Sequence, residues 1–124
     1  MPTLTGSQMR YLHVIYITQT NDGVRCVDIS RKLGVTMASV SRMVRLLADY
    51  ELTTLCAGRI RLTSQGSIEG SNIDKKFKQL IRFFSEYLQL SEQESVDSAY
   101  SFLCSFTENC VEKLIEKDWS NITA

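Results

Sequence analysis

The stretch Val27-Asp28-Ile29-Ser30-Arg31-Lys32-Leu33-Gly34-Val35-Thr36-Met37-Ala38-Ser39-Val40-Ser41-Arg42-Met43-Val44 decides the fold. Gly34 stops a short helix that begins near Val27, because glycine readily takes the left-handed conformation that closes a helix. Thr36 then reads as the N-cap of a second helix, which carries Val40, Met43, Val44 and Leu47 on one face and continues to about Tyr50. The apolar positions Val27, Ile29, Leu33, Val35, Val40, Met43, Val44 and Leu47 let the two helices cross with those sides together. The opposite side of the second helix stays free.

Toward the C-terminus, Leu52-Thr53-Thr54-Leu55-Cys56 and Arg59-Ile60-Arg61-Leu62-Thr63 are two β-prone runs around Ala57-Gly58, a short hairpin. Two helices about a glycine turn followed by a hairpin give the order of a winged helix-turn-helix. Toward the N-terminus, Met9, Leu12, Ile15 and Tyr16 set a half-buried helix from Thr5 to Thr20, ended by Asn21-Asp22-Gly23. Ser64-Gln65-Gly66 reads as a helix start. After Gly70 two further helices are expected, from Lys75 to Leu90 and from Glu92 to about Glu116, the second behind a Ser91 cap with Glu94 three residues later. The tail Ser120–Ala124 reads as frayed. The expected fold class is mainly α: a winged helix-turn-helix DNA-binding domain over 1–72 and an α-helical dimerisation domain over 73–124.

With 124 residues the chain has room for one domain or a small two-part protein, not a large multidomain enzyme. Apolar residues at 44% and charged residues at 23% are ordinary globular usage, which argues against disorder. No apolar run nears the roughly 20 residues that span a bilayer, and no signal segment opens the chain, so a cytoplasmic location is expected. Fourteen basic residues cancel fourteen acidic ones. The balance is uneven along the chain: residues 1–72 hold eight basic and five acidic residues, a net of +3, and residues 73–124 hold six and nine, a net of −3. Cys26, Cys56, Cys104 and Cys110 lack C-x-x-C spacing and read as free thiols. With one histidine, no phosphate loop and no nucleophile elbow, no catalytic constellation can be assembled, so an enzyme is not expected.

The free face of the second helix carries the chemistry. Ser39 and Arg42 are candidates for base contacts, Thr36 and Ser41 for phosphates, with Arg45 on the same polar side. Arg59 and Arg61 flank the hairpin turn, where they can follow a DNA backbone or enter a minor groove. The competing reading of these positions is a solvated helix face and a charged edge strand.

The motifs Val27-Asp28-Ile29-Ser30-Arg31-Lys32-Leu33-Gly34-Val35, Ser39-Val40-Ser41-Arg42-Met43-Val44 and Leu62-Thr63-Ser64-Gln65-Gly66 resemble the metal-dependent repressors typified by the diphtheria toxin repressor and the manganese transport regulator. The resemblance implies a DNA-binding transcriptional regulator that dimerises through its C-terminal helices and carries a divalent metal between them and the first helix. Placed on this sequence, the family's ligand slots fall at Arg10, His13, Phe77, Tyr100, Leu103 and Cys104. Only His13 and Cys104 keep suitable donor atoms; Arg10 puts a permanent cation where the metal would sit. A different register brings in Asp97, and His13, Asp97 and Cys104 together would suit zinc. The preferred reading of His13 is an amphipathic-helix residue with its polar tip near the surface, and no metal cofactor is expected.

The resulting expectation is a sequence-specific DNA-binding regulator, a repressor by its resemblance, acting as a homodimer on double-stranded DNA without the usual manganese or iron control. One alternative is a thiol-responsive regulator using Cys104 or Cys110, placed six residues apart on one long helix. The other is a protein-interaction adaptor that keeps only the scaffold. Phe77, Leu80, Phe83, Phe84, Tyr87, Phe102, Phe106 and Trp119 are read as core or dimer interface.

Overall fold

A computed structural model describes residues 3–117. The elements are α1 (Gly6–Thr18), β1 (Val24–Arg25), α2 (Cys26–Leu33), α3 (Met37–Asp49), β2 (Thr53–Cys56), β3 (Arg59–Leu62), α4 (Ser64–Arg82), a π-helical segment (Phe83–Tyr87), α5 (Glu92–Ser105) and α6 (Glu108–Glu116). They form two compact units, Met1–Asn72 and Ile73–Ala124. Trp119 and the tail Ser120–Ala124 lie outside the described residues.

In the first unit a capping box opens α1: Gln8 N–H donates to Thr5 Oγ1 at 3.2 Å and Thr5 N–H donates to Gln8 Oε1 at 2.9 Å. Five consecutive residues, Tyr11 to Ile15, are buried. Successive helix positions turn by ~100°, so these five close the full circumference. This corrects two expectations. The middle of α1 is enclosed rather than half-buried, and His13, 1% exposed, has no tip at the surface.

Helix α2 stops at Gly34, whose φ of 67° and ψ of 35° are left-handed. The N–H groups of Gly34 and Val35 both reach Ser30 O, and the Ser30 hydroxyl donates to Val35 O. Those bonds satisfy the Ser30 carbonyl in the last turn of α2 and fix the turn into α3. Leu12, Ile15, Ile29, Val40, Val44, Leu47, Leu52 and Ile60 are fully buried. Each contributes about 1.5–3 kcal/mol through burial.

The sheet is antiparallel in the order β1-β3-β2. Ala57 (φ 52°) and Gly58 (φ 74°) form a two-residue turn with both residues left-handed, the kind that matches strand twist. Thr53 Oγ1 donates to Val44 O at 2.9 Å in the interior, tying the hairpin to α3. Strand β1 was not expected: two residues are too few for an alternation to show.

Where the sequence predicts a break at Gly70 and a new helix from Lys75 to Leu90, α4 instead runs unbroken from Ser64 to Arg82. Its two inner glycines serve close approach. A Cβ on Gly66 would lie 1.9 Å from the Leu52 carbonyl oxygen, and one on Gly70 would lie 2.6 Å from the Tyr16 ring. Thr63 anchors the helix start: its hydroxyl accepts from Gly66 N–H at 2.9 Å and donates to Glu51 O at 2.6 Å. The Leu-Thr-x-x-Gly pattern is thus a cap and a contact point.

In the second unit the predicted helix Glu92–Glu116 is two helices. Phe106 and Thr107 are extended (ψ 156° and 152°), and the Thr107 hydroxyl caps α6 by accepting from Cys110 N–H at 3.2 Å. A second N-cap therefore outweighs the apolar periodicity running through it. Cys104 and Cys110 accordingly lie on different helices, α5 and α6. The aromatic residues form a chain of rings: Phe84 meets Phe102 edge-on at 6.3 Å, and Phe102 stacks on Phe106 at 4.2 Å. Lys76 and Glu108 pair at 3.2 Å.

Candidate nucleic-acid interface

The buried stripe of α3 is Val40, Val44 and Leu47. The positions opposite it, Ala38, Arg42, Arg45 and Asp49, are all exposed, with Ser39 and Ser41 half-buried at its margins. This follows from the ~3.6-residue turn: burying positions 40, 44 and 47 turns 38, 42, 45 and 49 outward. Among the described residues, neither Arg42 nor Arg45 makes an ion pair, although Asp49 lies four residues beyond Arg45. Two uncompensated guanidinium groups on one helix face are suited to base edges and phosphates.

Thr36 takes the N-cap role that the sequence predicts. Its hydroxyl accepts from Ser39 N–H at 3.1 Å and donates to Ser39 Oγ at 2.9 Å. Ser39 is therefore engaged in the cap while remaining next to the exposed face. Replacing Thr36 by alanine is expected to lower stability by about 1 kcal/mol through loss of the cap. Thermal unfolding followed by circular dichroism checks this; a melt superimposable on the unaltered protein contradicts it.

Met37, 52% exposed in the first turn of α3, has no role in the sequence reading. Beside Ala38 it gives the helix start an apolar spot of the sort that meets a thymine methyl group. A hydrophobic residue outside the apolar stripe was the available signal.

On the wing, the register pairs Cys56 with Arg59 and Thr54 with Arg61. Paired residues share a sheet face, so both arginines lie opposite the face that carries buried Ile60 and Thr53. Arg59 is half-buried, while Arg61 is exposed and donates through Nη1 to Asn21 O at 2.6 Å. Arg61 is therefore pinned across the turn before β1 instead of projecting from the hairpin tip. The register also sets Arg25 directly opposite Arg59. Sequence reasoning missed Arg25 because it missed β1.

Three of the six positions that the resemblance assigns to a metal carry no ligand atom for it. Arg10, Phe77 and Leu103 offer no lone pair to a cation. Phe77 packs on Tyr100 with ring centroids 4.6 Å apart, and Tyr100 and Leu103 are buried, so packed rings and aliphatic carbon occupy those positions. Asp97 is exposed and accepts from Gln93 Nε2 at 3.1 Å, and the Cys104 thiol lies 3.4 Å from Ser101 O. Among the described residues, no three of His, Cys, Asp and Glu come together as a metal-holding group. Cys110 is an exposed free thiol. No described helix is long and apolar enough to cross a membrane.

No curated protein sequence matches the chain. Among solved structures, IdeR of T. acidophilum superposes with a TM-score of 0.70 at 22% identity, covering 94% of this chain and 55% of its own. The manganese regulator SloR gives 0.74 at 24% identity, covering 86% of this chain and 51% of its own. A hypothetical protein from Sulfolobus solfataricus gives 0.64 at 18% identity, covering 90% of this chain and 86% of its own. This chain thus spans about half the length of IdeR and SloR. At these identities the likeness establishes the fold, a repressor-type winged helix-turn-helix. The sequence profile of the family described as iron dependent repressor, N-terminal DNA binding domain, matches residues 3–55, and the N-terminal segment of the chain is similar to that DNA-binding domain.

Proposed function

We propose that the chain is a sequence-specific transcriptional repressor that binds double-stranded DNA as a homodimer, without a manganese or iron switch at the family's metal slots. The observation that carries this reading is the solvent face of α3, where Arg42 and Arg45 stand exposed without ion pairs. The domain match over residues 3–55 supports DNA as the partner. The half-buried and buried carbon at Phe77, Tyr100 and Leu103 supports the loss of metal control.

Dimerisation through the second unit is supported by Leu88 and Phe106, 52% and 51% exposed. A shallow groove of about 320 Å³ beside Phe106 is lined by Phe102 and three serines, Ser98, Ser101 and Ser105, small enough for a partner helix to approach closely. A dimer would place two α3 helices in successive major grooves, about 34 Å apart. Selection of duplexes from a random pool, with chelator present, tests the reading. The expected result is enrichment of a pseudo-palindrome whose half-sites lie about one helical turn apart. Retention of DNA without enrichment of any sequence contradicts it.

A further inference from the structure

We infer that the solvent face of the three-stranded sheet is a second DNA-backbone contact, with Arg25 as a phosphate-binding residue alongside Arg59. This inference rests on the reading of the chain as a DNA-binding protein and adds to it a surface outside α3 and the hairpin tip. The register supplies the geometry. Val24 pairs with Ile60 on the buried face, so Arg25 and Arg59, the next pair, project to the other side. Arg61 shares that side because it lies two residues from Arg59 on the same strand. The rest of the face is Thr54 and Cys56, both exposed, so it carries no apolar residue that would suit a packed protein partner.

Like charges placed directly opposite one another destabilise a sheet. Here no acid relieves them: among the described residues, Arg25, Arg59 and Arg61 make no ion pair. Arg61 is held in place by its bond to Asn21 O, across a turn where a Cβ on Gly23 would approach the Arg61 Cγ to 3.1 Å. The three arginines thus stand in a row of neighbouring positions on one face of the sheet. Such a row holds a lone small anion weakly but engages a polyanion at several points together, and guanidinium forks match phosphate oxygens. The phosphodiester backbone is the anion this row fits.

The test is fluorescence anisotropy on a labelled mixed-sequence duplex of about two helical turns, titrated across a KCl series. The proteins compared are the unaltered chain, Arg25→Ala, Arg25→Gln and Lys113→Ala. Lys113, exposed on α6, controls for loss of one positive charge. Arg25 is exposed and makes no side-chain cap bond, and its removal relieves the charge opposite Arg59, so both Arg25 variants should melt no lower than the unaltered chain. Each should lower the slope of log affinity against log salt by about 1, as expected for one lost phosphate contact, while Lys113→Ala leaves it unchanged. Slopes for both Arg25 variants equal to that of a DNA-binding unaltered chain overturn this inference alone. Failure of the unaltered chain to bind any duplex overturns the DNA-binding reading and this surface with it.

Discussion

Replacing Gly66 by alanine is expected to destabilise the first unit by about 3 kcal/mol, the upper end of ordinary overpacking costs. The new methyl group would sit 1.9 Å from the Leu52 carbonyl oxygen. That oxygen cannot retreat freely, because it accepts from Thr63 N–H at 3.1 Å. Nor can the helix start shift alone, because the Thr63 hydroxyl holds Gly66 N–H and Glu51 O together. Either the cap or the hairpin base must open. For a unit of this size, 3 kcal/mol corresponds to a fall in Tm of roughly 12–24 °C. Gly70→Ala should cost less, since its closest contact, the Tyr16 ring at 2.6 Å, is less severe than the 1.9 Å approach at Gly66. Thermal melts of the two variants decide it; a Gly66→Ala protein melting within a few degrees of the unaltered chain would contradict the packing described here.

Much of the N-terminal unit was legible in the sequence because its signals are local. Gly34 marks a helix end through one dihedral, Thr36 marks a start through one hydrogen bond, and the pattern from Val40 to Leu47 orients α3. The errors arose where a residue's role is set by a distant neighbour. Gly70 looks like a helix breaker until Tyr16 is placed against it. Thr107 looks like one polar residue within a long helix until its cap on α6 is seen. His13 looks like the polar tip of an amphipathic helix until all sides of α1 are covered. The candidate site divides in the same way: Arg42 and Arg45 followed from helix periodicity, whereas Arg25 needed a cross-strand register that two residues of β1 cannot announce.

The second large effect is expected at Arg42. If it contacts a base, Arg42→Ala should weaken binding to the selected duplex by about 1–3 kcal/mol, roughly a 5- to 150-fold rise in Kd. The preference over a scrambled duplex should narrow with it. Arg42 is exposed and unpaired, so its removal should leave the melt nearly unchanged. A phosphate contact would behave differently, weakening cognate and scrambled binding alike. Equal loss on both duplexes would therefore move Arg42 to the backbone, and no loss on either would remove it from the interface.

We propose that this chain reads DNA through α3 without a metal switch. Anisotropy titration of the selected duplex tests it most directly, first with chelator and then with manganese, iron or zinc added in turn. Saturable binding is expected with chelator present, with the same Kd after each metal. Binding that appears only when a metal is supplied would contradict it.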